Sequence, residues 1–273
     1  MNHTAIEWVF NPDGTRPGWS WNPITGCLNG CAYCFARKLA NGRLRQRYLA
    51  NENIAEGRSR NIDDRNKYED PFYPRFWPER LEHKAFNLPH KPCGILVCDM
   101  GELFGDWIPK EWQEQVFHSI RVSQSDRFYL LTKQPQNLAK FSPFPNNCWV
   151  GVTATNNLAF HKALHYLSEI EASVKYLSLE PLLNEVVMNE GKVKRLEVID
   201  WVIIGAQTKP FKPPKVDWVE NIVWACSEAK IPIFLKDNLI DVLPPTIPFY
   251  APLSTEVPSK GKIELLYRQE YPR

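Results

Sequence analysis

Apolar residues in this chain fall into short, nearly unbroken runs, separated by stretches in which they recur every three or four positions. The runs are Ile95-Leu96-Val97-Cys98, Phe128-Tyr129-Leu130-Leu131, Trp149-Val150-Gly151-Val152, Tyr176-Leu177-Ser178-Leu179, Trp201-Val202-Ile203-Ile204 and Ile233-Phe234-Leu235. A strand with one wet face would alternate apolar and polar positions; these runs do not, which predicts parallel strands covered on both faces. Between them, Trp112/Val116/Ile120, Phe160/Leu164/Leu167 and Val219/Ile222/Val223/Cys226 each form one apolar stripe at helical spacing. Asp217, with Glu220 three residues later, is similar to a capping box and predicts the start of the last of these helices. The alternation predicts an α/β fold built of βα units, as a partial or near-complete parallel (β/α) barrel. A doubly wound open sheet is the alternative, because periodicity does not reveal closure. A length of 273 residues suits one such domain, residues 1–273.

Polar residues stand just beyond each run: Asp99 and Glu102, then Thr132 and Lys133, Thr153, Glu180, Gln207, and Lys236 with Asp237. In βα architectures the carboxyl ends of the strands carry the active site, so these side chains are expected to converge on one mouth. Residues 40–92 break the rhythm. Around Pro71-Phe72-Tyr73-Pro74-Arg75-Phe76-Trp77-Pro78, prolines and aromatics disfavour regular structure and predict an irregular insertion. Two readings of it stay open: a strap whose rings pack on the domain, or a stacking surface for substrate with Trp77 as the candidate ring.

Composition narrows the function classes. The apolar share of 44% is that of a globular protein, and no stretch nears the ~20 unbroken apolar residues of a membrane span. The first seven residues lack a basic start followed by an apolar run, so a reducing cytoplasm is expected and disulfides are not. A net charge of +2 is too small for a global field that attracts nucleic acid. One local stretch is basic: Arg37, Lys38, Arg43, Arg45, Arg47, Arg58 and Arg60 are opposed only by Glu52 and Glu56. It reads either as a solvated helix face or as a phosphate-binding patch.

The sharpest chemical signal is Cys27-Leu28-Asn29-Gly30-Cys31-Ala32-Tyr33-Cys34, a Cys-x3-Cys-x2-Cys spacing. Three soft thiolates in one loop suit an iron–sulfur cluster or zinc. A [4Fe-4S] cubane held by Cys27, Cys31 and Cys34 would keep one iron open for an exogenous group. Zinc would want a fourth protein ligand, for which His3 and Cys93 are the candidates. Cys148 and Cys226 fit the core. Cys98, at a strand end beside Asp99, is a candidate hydrogen-atom donor.

This spacing, with an aromatic at Tyr33, resembles the signature of the radical S-adenosylmethionine (SAM) superfamily. More narrowly, the chain is similar to the three-cysteine-motif family of phage and prokaryotic proteins. The likeness extends through Ser20-Trp21-Asn22-Pro23, Asp99 to Phe104, Leu131-Thr132-Lys133, Trp149-Val150-Gly151-Val152, Leu177 to Leu183, Asp200 to Gly205 and Phe234-Leu235-Lys236. The resemblance implies a radical SAM type of barrel in which the open iron binds SAM. The cluster then cleaves SAM to a 5′-deoxyadenosyl radical, which abstracts hydrogen from a substrate. It implies Tyr33 near the adenine, Gly101 and Glu102 at the methionine amine, and Thr153, Ser178 and Glu180 within reach of the ribose or the substrate. Glu180 and Lys236 are also candidate catalytic residues, and an external electron donor is required. Relatives often carry Gly-Gly-Glu-Ser where this chain has Gly205-Ala206-Gln207-Thr208, and Lys-Gln-Trp-Gly where it has Lys236-Asp237-Asn238-Leu239. These departures imply a different substrate rather than a lost cluster.

A nucleic-acid base, including a thymine or modified thymine, is the first candidate substrate, reached by base extrusion if the substrate is a duplex. A peptide, protein partner or small metabolite is the second. A non-catalytic zinc or iron–sulfur protein is the alternative from another class.

Overall fold

A computed structural model describes residues 1–56, 67–81, 91–188, 196–246, 249–252 and 265–272. The fold is mixed α/β with mostly parallel strands, and the chain divides into two compact units. The first comprises residues 1–152 with 169–173, and the second residues 153–168 with 174–273.

In the first unit the strands are β1 (Asn2–His3), β2 (Trp19–Trp21), β3 (Ile24–Thr25), β4 (Arg75–Phe76), β5 (Gly94–Val97), β6 (Arg127–Thr132) and β7 (Cys148–Thr153). Its helices are α1 (Phe35–Asn41), α2 (Arg45–Leu49) and α3 (Lys110–Val122). β2, β5, β6 and β7 pair in parallel in that order, with β1 antiparallel on the outer side of β2. Every residue of β5 and β7 is buried, as the unbroken apolar runs require. Helix α3 buries Val116, Phe117 and Ile120, the predicted stripe displaced by one residue from Trp112. Phe117 stacks on Phe141 at 5.1 Å and meets Phe104 at 6.3 Å, so this face of the helix is fixed by rings.

The second unit holds α4 (Asn157–Ser168), β8 (Val174–Leu179), β9 (Trp201–Ile204), β10 (Gln207–Thr208), β11 (Phe211–Lys212), α5 (Val216–Glu228), β12 (Ile233–Leu235), β13 (Tyr250–Pro252) and β14 (Leu265–Tyr267). β8, β9 and β12 pair in parallel, while β10 with β11 and β13 with β14 form antiparallel ribbons. Helix α5 corrects the expected cap: it starts at Val216 from Lys215 with no side-chain cap, and Asp217 sits inside the first turn. There its carboxylate still favours the positive end of the helix dipole.

The insertion is resolved toward packing. Phe72, Tyr73, Phe76 and Trp77 are all buried. Trp77, only 6% exposed, donates from Nε1 to Thr25 Oγ1 at 2.8 Å, with Arg80 lying 3.9 Å over its ring. It is therefore a core ring and not an open stacking surface. Arg58 and Arg60 of the basic stretch lie outside the described residues. Among the described residues no helix is long and apolar enough to cross a membrane.

Gly94 shows how tightly β5 is set. A Cβ there would lie 1.8 Å from the Phe10 carbonyl oxygen. Gly94→Ala should therefore lower stability by about 1–3 kcal/mol or more, the usual cost of forcing atoms into a packed site. A urea titration that leaves the midpoint unchanged would show that the Phe10 segment yields instead.

Candidate functional site

The cysteine loop leaves the carboxyl end of β2 through β3, which pairs antiparallel with β4 (Ile24 opposite Phe76, Thr25 opposite Arg75). Gly26 then passes through a gap only a glycine fits. Its φ is +87°, and a Cβ would stand 2.5 Å from the Tyr73 carbonyl oxygen. The Gly26 amide donates to Met100 O at 2.9 Å, and the Cys27 amide donates to Phe72 O at 3.0 Å. Gly30, with φ +69°, turns the loop, and Cys34 caps α1 by accepting from the Arg37 amide at 3.3 Å.

Arg37 ties the loop's end to its start. Its guanidinium donates to Cys27 O at 3.1 Å and pairs with Asp70 at 3.2 Å, while lying 4.9 Å from the Phe72 ring. Arg75, 1% exposed, donates to the carbonyls of Asn51, Asp70 and Tyr73 and so holds the strap beneath the loop. Two arginines thus hold the loop, Arg75 from the interior and Arg37 from a half-buried position. By contrast Lys38, Arg43, Arg45 and Arg47 are exposed.

Glu102 lies at the centre of the arrangement and is almost wholly buried. Its carboxylate accepts from Thr132 Oγ1 at 2.7 Å, from the Lys133 amide at 3.0 Å, from the Phe104 amide at 3.1 Å and from Asn29 Nδ2 at 3.3 Å. Four donors match the acceptor sites a carboxylate offers. Burial pushes the Glu102 carboxyl above the ordinary range, and the bonds from Thr132, Lys133 and Phe104 together with the Lys133 charge oppose that rise. Asn29 connects the cluster of bonds to the loop: its amide N–H reaches Cys27 Sγ at 3.4 Å, and its side-chain oxygen accepts from Gln134. Sequence reasoning did not single out Asn29 or Gln134. The Asn29-Gly30 pair is a turn signal that could have flagged the first.

All three thiols are free and half-buried. Burial pushes the Cys27 thiol up to about 12, with the charges of Glu102, Cys31 and Cys34 adding to the rise and the Asn29 amide opposing it. Tyr33 is also half-buried. Its phenol is pushed up by burial and by Cys31, its hydrogen-bond partner, and Lys133 Nζ lies 5.9 Å from its ring. Among the described residues, no group of three or more His, Cys, Asp or Glu side chains is gathered to hold a metal ion. The donor chemistry nevertheless fits a thiolate-bound centre, because two of the three sulfurs accept backbone N–H bonds, the contact that stabilises charge on metal-bound sulfur. The candidate fourth ligands do not join them. His3 is opposite Trp19 at the start of β2, and Cys93 precedes the first residue of the parallel strand β5. The cysteine loop follows the other end of these strands, about 10 Å away for three strand steps.

Cys98 stands one residue beyond β5, buried, at φ +58°. Burial pushes its thiol up to about 12, against a bond from the Ile24 amide, so the S–H keeps its hydrogen at neutral pH. Asp99 next to it accepts from Asn22 Nδ2 at 2.5 Å. Gly101 forms a parallel bridge with Gly26. A Cβ on Gly101 would stand 3.0–3.1 Å from the Ile24 and Gly26 carbonyl oxygens, which sets the β5 end directly against the start of the cysteine loop.

The remaining predicted residues, from Thr153 at the last position of β7 onward, belong to the second unit. Thr153 and Ser178 are buried, and the Ser178 carbonyl accepts from the Ala154 amide at 2.9 Å. Lys236 Nζ meets Glu180 Oε1 at 2.7 Å, a pair joining the ends of β8 and β12. It crosses Gly205, where a Cβ would lie 2.8 Å from Lys236 Cδ and 3.2 Å from Glu180 Cγ. The segments after β9 and β12 bind each other: the Ala206 amide donates to Asn238 Oδ1 at 3.1 Å, and Asn238 Nδ2 donates to Ala206 O at 3.0 Å.

Replacing Glu102 with Ala should remove about 2–3 kcal/mol of stability, since it strands several buried donors at once. The same variant should alkylate faster at Cys27, because the loop loses its anchor through Asn29. Unfolding titrations and mass-spectrometric labelling measure the two effects. Equal labelling of both proteins would show that the loop is seated without Glu102.

Residues 3–238 match the family described as "Protein of unknown function (DUF5131)". No curated protein matches the chain. A solved structure, "Spore photoproduct lyase complexed with dinucleoside spore photoproduct", is similar at 12% identity and a TM-score of 0.41. The similarity covers 66% of this chain and 53% of that one, so it spans about half of the lyase.

Proposed function

We propose that this chain, which belongs to the DUF5131 family, is a radical SAM enzyme whose Cys27, Cys31 and Cys34 hold a [4Fe-4S] cluster. One observation supports this reading above the others. The three thiols share a single loop at the carboxyl ends of β2 and β5, and both candidate fourth ligands, His3 and Cys93, belong to the opposite ends. A three-thiol set suits a cubane with an open iron, whereas a closed four-ligand zinc site would need a fourth ligand other than His3 and Cys93.

When bound, the cluster and SAM supply one-electron reductive cleavage, and with it a radical able to take hydrogen from a substrate, using an external electron donor. The protein's part is placement. Glu102, through Asn29, and Arg37, through Cys27 O, keep the loop seated against the ends of β5 and β6. Closing three half-buried sulfurs around a cluster requires their deprotonation, so loading releases protons and weakens as pH falls. Tyr33 beside Cys31 is the ring available to an adenine, and Gly101 leaves the β5 end free of a side chain. Cys98, protonated and beyond the strand end, suits hydrogen donation. The partial parallel (β/α) barrel belongs to this same reading.

The experiment is anaerobic reconstitution with iron and sulfide, followed by SAM and a strong reductant, with 5′-deoxyadenosine measured by chromatography. Wild type should produce it and Cys31→Ala should not. Oxygen-free protein that binds zinc at the loop, or that carries a full cluster yet never cleaves SAM, would remove the enzymatic reading.

A further inference from the structure

A ribbon beyond β9 takes no part in the site above. From Gln207 to Val216 the chain reads Gln-Thr-Lys-Pro-Phe-Lys-Pro-Pro-Lys-Val, with lysines at 209, 212 and 215 and no carboxylate. β10 and β11 pair with Gln207 opposite Lys212 and Thr208 opposite Phe211, which makes Lys209-Pro210 the turn. Gln207 Nε2 closes that turn by donating to Pro210 O at 2.9 Å. At the base, the paired hydrogen bonds between Ala206 and Asn238 hold the ribbon to the segment after β12. A two-stranded ribbon is marginal by itself, so the pinned base is what lets this one stand as a prong.

Its surface is unusual for a solvent-facing turn. Phe211 is 56% exposed, and Lys209, Lys212 and Lys215 are exposed as well. The register puts Phe211 and Thr208 on one face and Lys212 and Gln207 on the other, with Lys209 at the tip. Lys215 follows the ribbon, with its ammonium 5.2 Å from the Trp218 ring. Along the chain, cations therefore stand on both sides of the exposed Phe211 ring, with Lys212 on the opposite face of the ribbon and Lys215 beside Trp218.

We propose that this ribbon binds single-stranded nucleic acid, with Phe211 stacking on a base and Lys209, Lys212 and Lys215 neutralising phosphates. As a statement about the enzyme's substrate class it rests on the radical reading; the binding itself does not involve the cysteine loop. An acidic protein surface would use the lysines but leave Phe211 in water, whereas an exposed ring among cations suits a strand that carries both bases and phosphates. A stacked duplex hides the base faces Phe211 would cover, which favours a single strand or an extruded base.

The probe is a fluorescein-labelled oligothymidine of about 20 nucleotides, longer than the roughly 4–16 that a single binding module covers. Binding is followed by anisotropy between about 50 and 200 mM salt. Lys209→Gln/Lys212→Gln/Lys215→Gln should reduce the log–log salt slope by about 2, as three lost phosphate contacts at roughly 0.7 each predict. Phe211→Ala should weaken binding roughly ten-fold at every salt concentration without changing the slope, and Phe211→Trp should retain it. These side chains are exposed, so unchanged melting curves should accompany each variant. Cys31→Ala should bind like wild type; binding without SAM cleavage in the wild type would sink the radical reading and leave this one standing. The proposal is overturned if wild type fails to bind at the lowest salt, or if the lysine variant keeps the full slope. Indifference to Phe211→Ala, with equal competition by heparin, would also overturn it and give the patch to an acidic partner.

Discussion

A carboxylate can be taken out of water only where other donors replace the solvent it gives up, and Glu102 imposes that demand on the first unit. Its four donors come from three separated places: the cysteine loop at Asn29, the β5–α3 connection at Phe104, and the end of β6 at Thr132 and Lys133. Leaving any of them unmet would cost more than a single surface hydrogen bond gains. The loop, the connection and the strand end therefore have to be in place together.

The rest of the loop follows from similar demands at the backbone. Gly26 has to pass between the Met100–Gly101 and Phe72–Tyr73 backbones, which excludes a side chain. Arg75 spends its donors on carbonyls that the irregular strap cannot pair within a sheet. Arg37 spans Cys27 and Asp70, so the eight residues from Cys27 to Cys34 are tied at both ends. A loop held at its ends and turned by Gly30 carries its three thiols within one stretch of chain.

The second unit solves a different problem with comparable economy. Lys236 and Glu180 neutralise each other across a glycine, so a largely buried ammonium has its counter-charge 2.7 Å away. Asn238 satisfies both backbone groups of Ala206, which ties the segment after β9 to the segment after β12. The β10–β11 ribbon grows from that junction.

The sequence by itself determined the parallel strands and the helices between them, because burial on both faces forces unbroken apolar runs and one-sided burial forces a stripe. It also determined the three-thiol loop, since spacing within eight residues is a local property. Tertiary structure alone decided what the strap's rings do, that Arg75 is interior, and that His3 and Cys93 lie beside the amino ends of β2 and β5. It also decided that Glu102 is a hub and that Asn238 answers Ala206. Such pairings join residues from 32 to 73 positions apart, a separation over which no local pattern carries information. Only the folded chain, by removing water from both partners, makes one side chain's donors the other's requirement.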